Sequence, residues 1–272
     1  MFNKNIFYFI CFFKMLYLFF LGLICGSFAN VVIDRLAKGK GGILFGHSEC
    51  PHCHHRLSAK DLIPLLSFIF LKGKCSYCQK KISLQYPLVE IVMGFVFGAM
   101  TLIQFESGVA LGLSLFYLFI LITISIYDLR YFEIPDEVIL IGIAVAFLAT
   151  LLKSSIAPDL FNALIGAIIP LTFFGLQYLI SHYWITSHGD WIGLGDLRIA
   201  VFMGLILGWE KILLALFLAY LIGSIISLAF ITAGKLTRQS CVPFGPFLAL
   251  GTIVAFFWGQ GVLDWYLGRF IL

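Results

Sequence analysis

Long apolar runs recur along this chain, and they constrain its fold more than any other feature. Eight are apparent: Ile6–Ile33, Leu88–Phe105, Val109–Tyr127, Val138–Leu152, Leu160–Ile180, Leu197–Trp209, Ile212–Ala233 and Phe247–Leu267. Most are long enough to cross a hydrocarbon layer as helices, and inside a bilayer the backbone must satisfy its own hydrogen bonds. At 61% hydrophobic and 12% charged residues, the chain has more apolar surface than a water-soluble domain of 272 residues has core to bury it in. The expected fold class is therefore an all-α integral membrane protein of about eight transmembrane helices. Val138–Leu152 and Leu197–Trp209 are short and would borrow from their flanks.

The first run has a basic start but lacks an Ala-x-Ala-like cleavage site, so it reads as a retained span; Leu16–Ile33 crosses by itself. Gly22, Gly26 and Asn30 fall at i, i+4 and i+8, a face on which another helix can approach closely. The one long polar segment, Arg35 to Tyr86, carries nine of the eighteen Lys and Arg residues. The positive-inside rule makes it cytoplasmic, and eight spans then put thirteen basic residues inside and five outside. Leu62–Leu71 within it is apolar but too short to span, so it is either a buried element of a small domain or a contact with the membrane surface.

In that segment Cys50 and Cys53 form one Cys-x-x-Cys pair, and Cys75 and Cys78 form another. Two such pairs in a reducing compartment point to a tetrahedral Zn2+ site of four thiolates. A closed site has no position for catalytic water, so the metal is structural. The expected domains are 1–34, the first span; 35–86, the zinc-binding domain; and 87–272, a seven-helix core.

Two carboxylates mark the ends of apolar runs. Asp128 closes the third, and Asp196 opens the sixth behind Gly193-Leu194-Gly195. The topology sets both at the cytoplasmic side at similar depth. Packed together, they would share one proton and act as an aspartic-protease pair, titrating as a unit. Against this, Asp196 also reads as an N-cap of the sixth helix, and Asp136 is a rival partner for it, although Pro135-Asp136-Glu137 reads well as a helix start. Gly193 and Gly195 leave bare backbone that a substrate chain can approach. Gly204 and Gly208 read as a packing face. Pro243-Phe244-Gly245-Pro246-Phe247 reads as a rigid turn into the last helix, with nothing that demands chemistry.

Taken in order, Gly26-Ser27-Phe28-Ala29-Asn30-Val31, the cysteine pairs, Gln85-Tyr86-Pro87-Leu88-Val89-Glu90, Asp128 with Ile134-Pro135-Asp136, Gly193-Leu194-Gly195-Asp196 and Pro243 to Phe247 resemble the bacterial type IV prepilin peptidases, a family of Gly-x-Gly-Asp intramembrane aspartic proteases. The resemblance implies an endopeptidase of the bacterial inner membrane that cuts the basic leader from type IV prepilins and type II secretion pseudopilins. Asp128 and Asp196 match the family's catalytic positions. Gly193 and Gly195 lie in a motif region that would contact substrate, and Glu90, near the start of a span, would pair with a basic residue or contact substrate. S-adenosylmethionine-dependent methylation of the new N-terminus is implied by resemblance alone, with no cofactor-binding residue identified. The implied partners are prepilins, pseudopilins and membrane lipid, with no nucleic acid. The chain departs from the family at Ala37, where a proline is frequent, and at Trp191-Ile192 before the glycines. Two other classes fit less well. A transporter would spread polar residues through the midplane, and a scaffold would need neither aspartate.

Overall fold

A computed structural model describes residues 4–39, 46–103, 105–184, 193–237 and 240–270. Lys40, Trp191, Ile192 and Arg238 lie outside them. The described residues are helical apart from turns and two isolated bridges. The helices are α1 (Lys4–Ala37), α2 (Leu66–Phe70), α3 (Gln85–Ala99), α4 (Gly108–Tyr131), α5 (Asp136–Leu151), α6 (Leu160–Trp184), α7 (Leu194–Thr232) and α8 (Gly245–Phe270). Six stretches are long and apolar enough to cross a membrane: Cys11–Ala37, Gln85–Leu102, Gly108–Tyr131, Leu160–Tyr183, Leu194–Thr232 and Gly245–Arg269.

Eight spans were expected, and the difference has two sources. At 16 residues, α5 is shorter than a typical crossing helix. The runs Leu197–Trp209 and Ile212–Ala233 are the two helical arms of α7, which count as one stretch although the chain kinks between them. The kink is at Gly208, whose φ of 74° and ψ of 176° are non-helical.

Two compact units divide the chain, Met1–Leu115 and Phe116–Leu272. In the first, α1 packs on α3 along the face that carries Gly22, Gly26 and Asn30. A Cβ on Gly22 would lie 2.5 Å from the Met93 carbonyl oxygen, and one on Gly26 would lie 2.7 Å from the Glu90 Cα. One turn further, the Asn30 amide donates to the Tyr86 carbonyl at 3.1 Å. Ile33, Val89 and Met93 are fully buried there.

In the second unit α7 is the hub, packed against α5, α6 and α8. Backbones touch where α6 crosses it: a Cβ on Gly204 would meet the Gly166 carbonyl oxygen at 2.1 Å and the Ala167 Cα at 2.5 Å. Small residues at a crossing are how helices gain dispersion contact without a hydrophobic driving force. Phe202, Met203, Ile199 and Ile212 of α7, with Ile139, Phe174 and Leu248 of its neighbours, form the buried centre.

Candidate functional site

The metal centre arises from one local fold used twice. At the first pair, the Cys50 N–H donates to the His55 carbonyl at 3.1 Å and the His54 N–H to the Cys50 carbonyl at 3.0 Å. At the second, the Cys75 N–H donates to the Lys80 carbonyl at 2.9 Å and the Gln79 N–H to the Cys75 carbonyl at 3.0 Å. His54 and Gln79, each just after a second cysteine, both have positive φ, 55° and 59°. Antiparallel bridges Glu49–Arg56 and Lys74–Lys81 close the two turns. Each turn folds its pair of thiols to one side.

The four Sγ atoms lie within 4.8 Å of one another, with Cys50 and Cys78 at 3.8 Å. Tetrahedral bonds of about 2.3 Å imply sulfur–sulfur edges of about 3.8 Å, so the donor set fits a zinc-sized ion. Burial raises the Cys50 thiol, but backbone N–H groups of Cys53 and His52 and neighbouring thiols outweigh it and bring it down to about 7. The His55 N–H lowers the Cys53 thiol, yet desolvation and the Cys50 and Cys78 sulfurs push it up to about 11. Four thiols this close do not all ionise unaided; a divalent cation removes that conflict. Asp61 supports the same small domain. Its carboxylate accepts from Ser58 Oγ at 2.7 Å, the Ser58 N–H at 3.0 Å and Ser76 Oγ at 2.9 Å, which hold it below the usual carboxylate range.

The two aspartates come from different helix ends of the second unit. Asp128 sits in the last turn of α4 and is 5% exposed. Its Oδ2 accepts the Gly245 N–H, the first residue of α8, at 2.8 Å. Asp196 is the third residue of α7 and half-buried. The N-cap of α7 is Gly193, not Asp196. Asp196 reaches back to accept the Gly193 N–H on Oδ2 at 3.2 Å, while its own N–H donates to the Gly193 carbonyl at 3.1 Å. The two carboxylates are within electrostatic reach of each other, and Asp196 also acts on Tyr220. Asp136, the rival partner, is the first residue of α5 and forms an ion pair with Arg198 of α7.

Sequence reasoning missed the part played by the last loop. Phe244 packs on Tyr220 at 5.0 Å and on Phe174 at 6.3 Å between ring centroids. Phe247 lies against Gly223, where a Cβ would be 3.1 Å from its ring. The Tyr220 hydroxyl is bonded to Gln177 Oε1 at 3.3 Å. These contacts deliver the Gly245 N–H to Asp128, and a Cβ on Gly245 would stand 2.7 Å from Asp128 Oδ2. The available signal was a glycine between two Phe/Pro pairs at a helix start.

Of the two glycines before Asp196, Gly195 faces Ile134: a Cβ there would lie 2.8 Å from the Ile134 Cβ. Gly193 is exposed, and among the described residues a Cβ there would meet only its own helix start. Glu90, in the first unit, is buried on α3, and its Oε2 accepts the Leu65 N–H at 2.7 Å; Ser27 is a second hydrogen-bond partner.

Two carboxylates at helix ends of an apolar bundle are the groups that an intramembrane aspartic hydrolase would need. Residues 115–228 match the type IV leader peptidase family, and residues 20–104 match the bacterial peptidase A24 N-terminal domain. A prepilin leader peptidase/N-methyltransferase of Aeromonas hydrophila is 31% identical, covering 96% of this chain and 95% of its own. Enzymes of the same name from Bacillus subtilis strain 168 and Stutzerimonas stutzeri are each 30% identical, covering 92% and 91% of this chain and 96% and 91% of their own. The chain belongs to the type IV leader peptidase family and is a multi-pass membrane protein. No solved structure matches it significantly.

Proposed function

We propose that this chain cuts the basic leader from prepilins and pseudopilins and then methylates the exposed amine. The observation that carries the reading is the pair Asp128 and Asp196, each with one carboxylate oxygen held by a backbone N–H. That leaves the other oxygen of each for the reacting groups. The ionised member takes a proton from water, whose oxygen attacks the scissile carbonyl carbon. The protonated member donates to the carbonyl oxygen. As the C–N bond breaks, the leaving amine takes the proton on the pair and a hydroxyl of the gem-diol returns one, so the pair again holds a single proton and the other product is the carboxylic acid. The two share that proton, so neither has a fixed role.

Among the described residues Gly193, rather than Gly195, has the open space for an extended substrate backbone. Glu90 reads as a brace between α3 and the residue before α2 rather than as a substrate contact. Cys50, Cys53, Cys75 and Cys78 would hold a structural Zn2+ that takes no part in the chemistry. S-adenosylmethionine supplies the methyl group of the second step, and we assign no residue to it. The excess of Lys and Arg on one side of the expected topology supports an inner-membrane enzyme with the cysteines and both aspartates facing the cytoplasm.

The test uses purified protein, a prepilin substrate and the single variants Asp128→Asn and Asp196→Asn. Each is expected to lose cleavage by about 10³-fold or more, as when a member of a catalytic unit is removed. Methyl transfer to a substrate already lacking its leader is expected to persist in both. Full cleavage by either variant would overturn the mechanism.

A further inference from the structure

The segment around α2 exposes apolar side chains in the midst of a polar domain. Ile63, Leu66, Ile69 and Phe70 are 46%, 48%, 58% and 79% exposed. Leu66, Ile69 and Phe70 fall at i, i+3 and i+4 of α2, so one helical turn sets them on one side, and Ile63 precedes the helix in extended backbone. Phe68 points elsewhere and packs on Gly73, where a Cβ would stand 3.0 Å from its ring. Such a cluster on a domain held together mainly by its cysteines needs a covering surface.

Two observations say what covers it. The first is depth. Leu65, the N-cap of α2, has a φ of 61°, and its N–H is bound at 2.7 Å by Glu90. Glu90 lies five residues inside the spanning stretch Gln85–Leu102, about 8 Å along the helix axis. The hydrogen bond thus moors α2 beside the second turn of a helix long and apolar enough to span. Leu84 and Leu88, at the start of α3, are 72% and 60% exposed at the same level. The second is charge. Residues 58–83 hold Lys60, Lys72, Lys74, Lys80 and Lys81 against the one carboxylate of Asp61. Lys72 and Lys74, which directly follow the apolar cluster, are both exposed.

We propose that Ile63 and α2 form an interfacial wedge seated in the bilayer surface, with Lys72 and Lys74 on anionic phospholipid headgroups and the Glu90–Leu65 hydrogen bond setting the depth. Apolar residues backed by lysines suit this boundary, where the side chains enter the acyl region and the ammonium groups stay in the headgroup layer. The cysteine domain is then tied to the membrane at a third point besides its two chain ends, which restrains how it tilts.

The experiment uses the full chain in vesicles of phosphatidylcholine and phosphatidylglycerol, with Phe70→p-benzoylphenylalanine photolysed and its adducts identified by mass. Phe95→p-benzoylphenylalanine, on the exposed side of spanning α3, is the positive control. Position 70 is expected to give lipid adducts enriched in phosphatidylglycerol. Lys72→Gln with Lys74→Gln should reduce that enrichment by about fivefold for each lysine removed. Glu90→Ala should cut lipid adducts at 70 severalfold and leave those at 95 unchanged. Labelling at 95 with no lipid adduct at 70, or adducts at 70 only to protein, would overturn the wedge. Unchanged labelling at 70 in Glu90→Ala would overturn the mooring.

Discussion

Asp128 is held by a main-chain N–H that arrives from a helix more than a hundred residues away. The geometry leaves no room for a side chain on the donor, because a Cβ on Gly245 would press on Asp128 Oδ2 at 2.7 Å and on its Cγ at 3.2 Å. A buried carboxylate on a short side chain has little freedom to yield. Gly245→Ala is therefore expected to lower kcat by about 100-fold, the scale of an ångström-sized misplacement of a reacting group, with KM little changed. Steady-state kinetics on a prepilin substrate, alongside the unfolding temperature, checks this. A fall in kcat without a matching loss of stability is the expected result. Asp128 and Asp196 were legible as residues because charges at the ends of apolar runs are costly and few. Gly245 was not, because a backbone donor leaves no mark on composition. The role of Gly195 was also hidden: only the fold brings Ile134 into the space its missing side chain leaves.

At the scale of elements, α7 keeps the two apolar runs of the linear reading as two helical arms. Two apolar runs, Leu197–Trp209 and Ile212–Ala233, read as two spans with a short outside connection. The two arms meet at a break at Gly208, where φ is 74°. The break is capped: Asn162 Oδ1 accepts the Trp209 N–H at 2.8 Å, and it would lie 2.5 Å from a Cβ on Gly208. Gly208→Ala adds a backbone conformation reserved for glycine to the loss of that cap, so it should destabilise by about 2–4 kcal/mol. Asn162→Ala loses the cap alone, about 1 kcal/mol. The expected order of heat-denaturation midpoints is wild type, then Asn162→Ala, then Gly208→Ala. The four-residue spacing of Gly204 and Gly208 did mark a packing face. It could not tell that one of the two glycines also breaks the helix, since close approach and positive φ call for the same residue.

For the whole molecule, the division into Met1–Leu115 and Phe116–Leu272 separates the cysteine cluster from both aspartates. A metal held by Cys50, Cys53, Cys75 and Cys78 then stabilises its own unit first, since binding free energy in a small domain is folding free energy. Metal analysis should find one zinc per chain, lost when all four cysteines become serine. Chelation should speed amide exchange across residues 46–83 and leave residues 194–232 unchanged, which hydrogen-exchange mass spectrometry on the full chain can read.

What the sequence by itself determined were properties that depend on residue type and spacing: an all-helical membrane chain, a four-thiolate cluster, and two isolated carboxylates at the ends of apolar runs. Each follows from a local free-energy cost, whether of unpaired backbone in lipid, of crowded thiols or of a charge entering a bilayer. Tertiary structure alone decided which groups meet. It paired Asp136 with Arg198, packed α3 on α1, fixed the kink of α7 at Gly208 and brought the Gly245 N–H to Asp128. Those outcomes turn on contacts between backbones far apart in the chain, and glycines and main-chain amides make such contacts without leaving a pattern along the sequence.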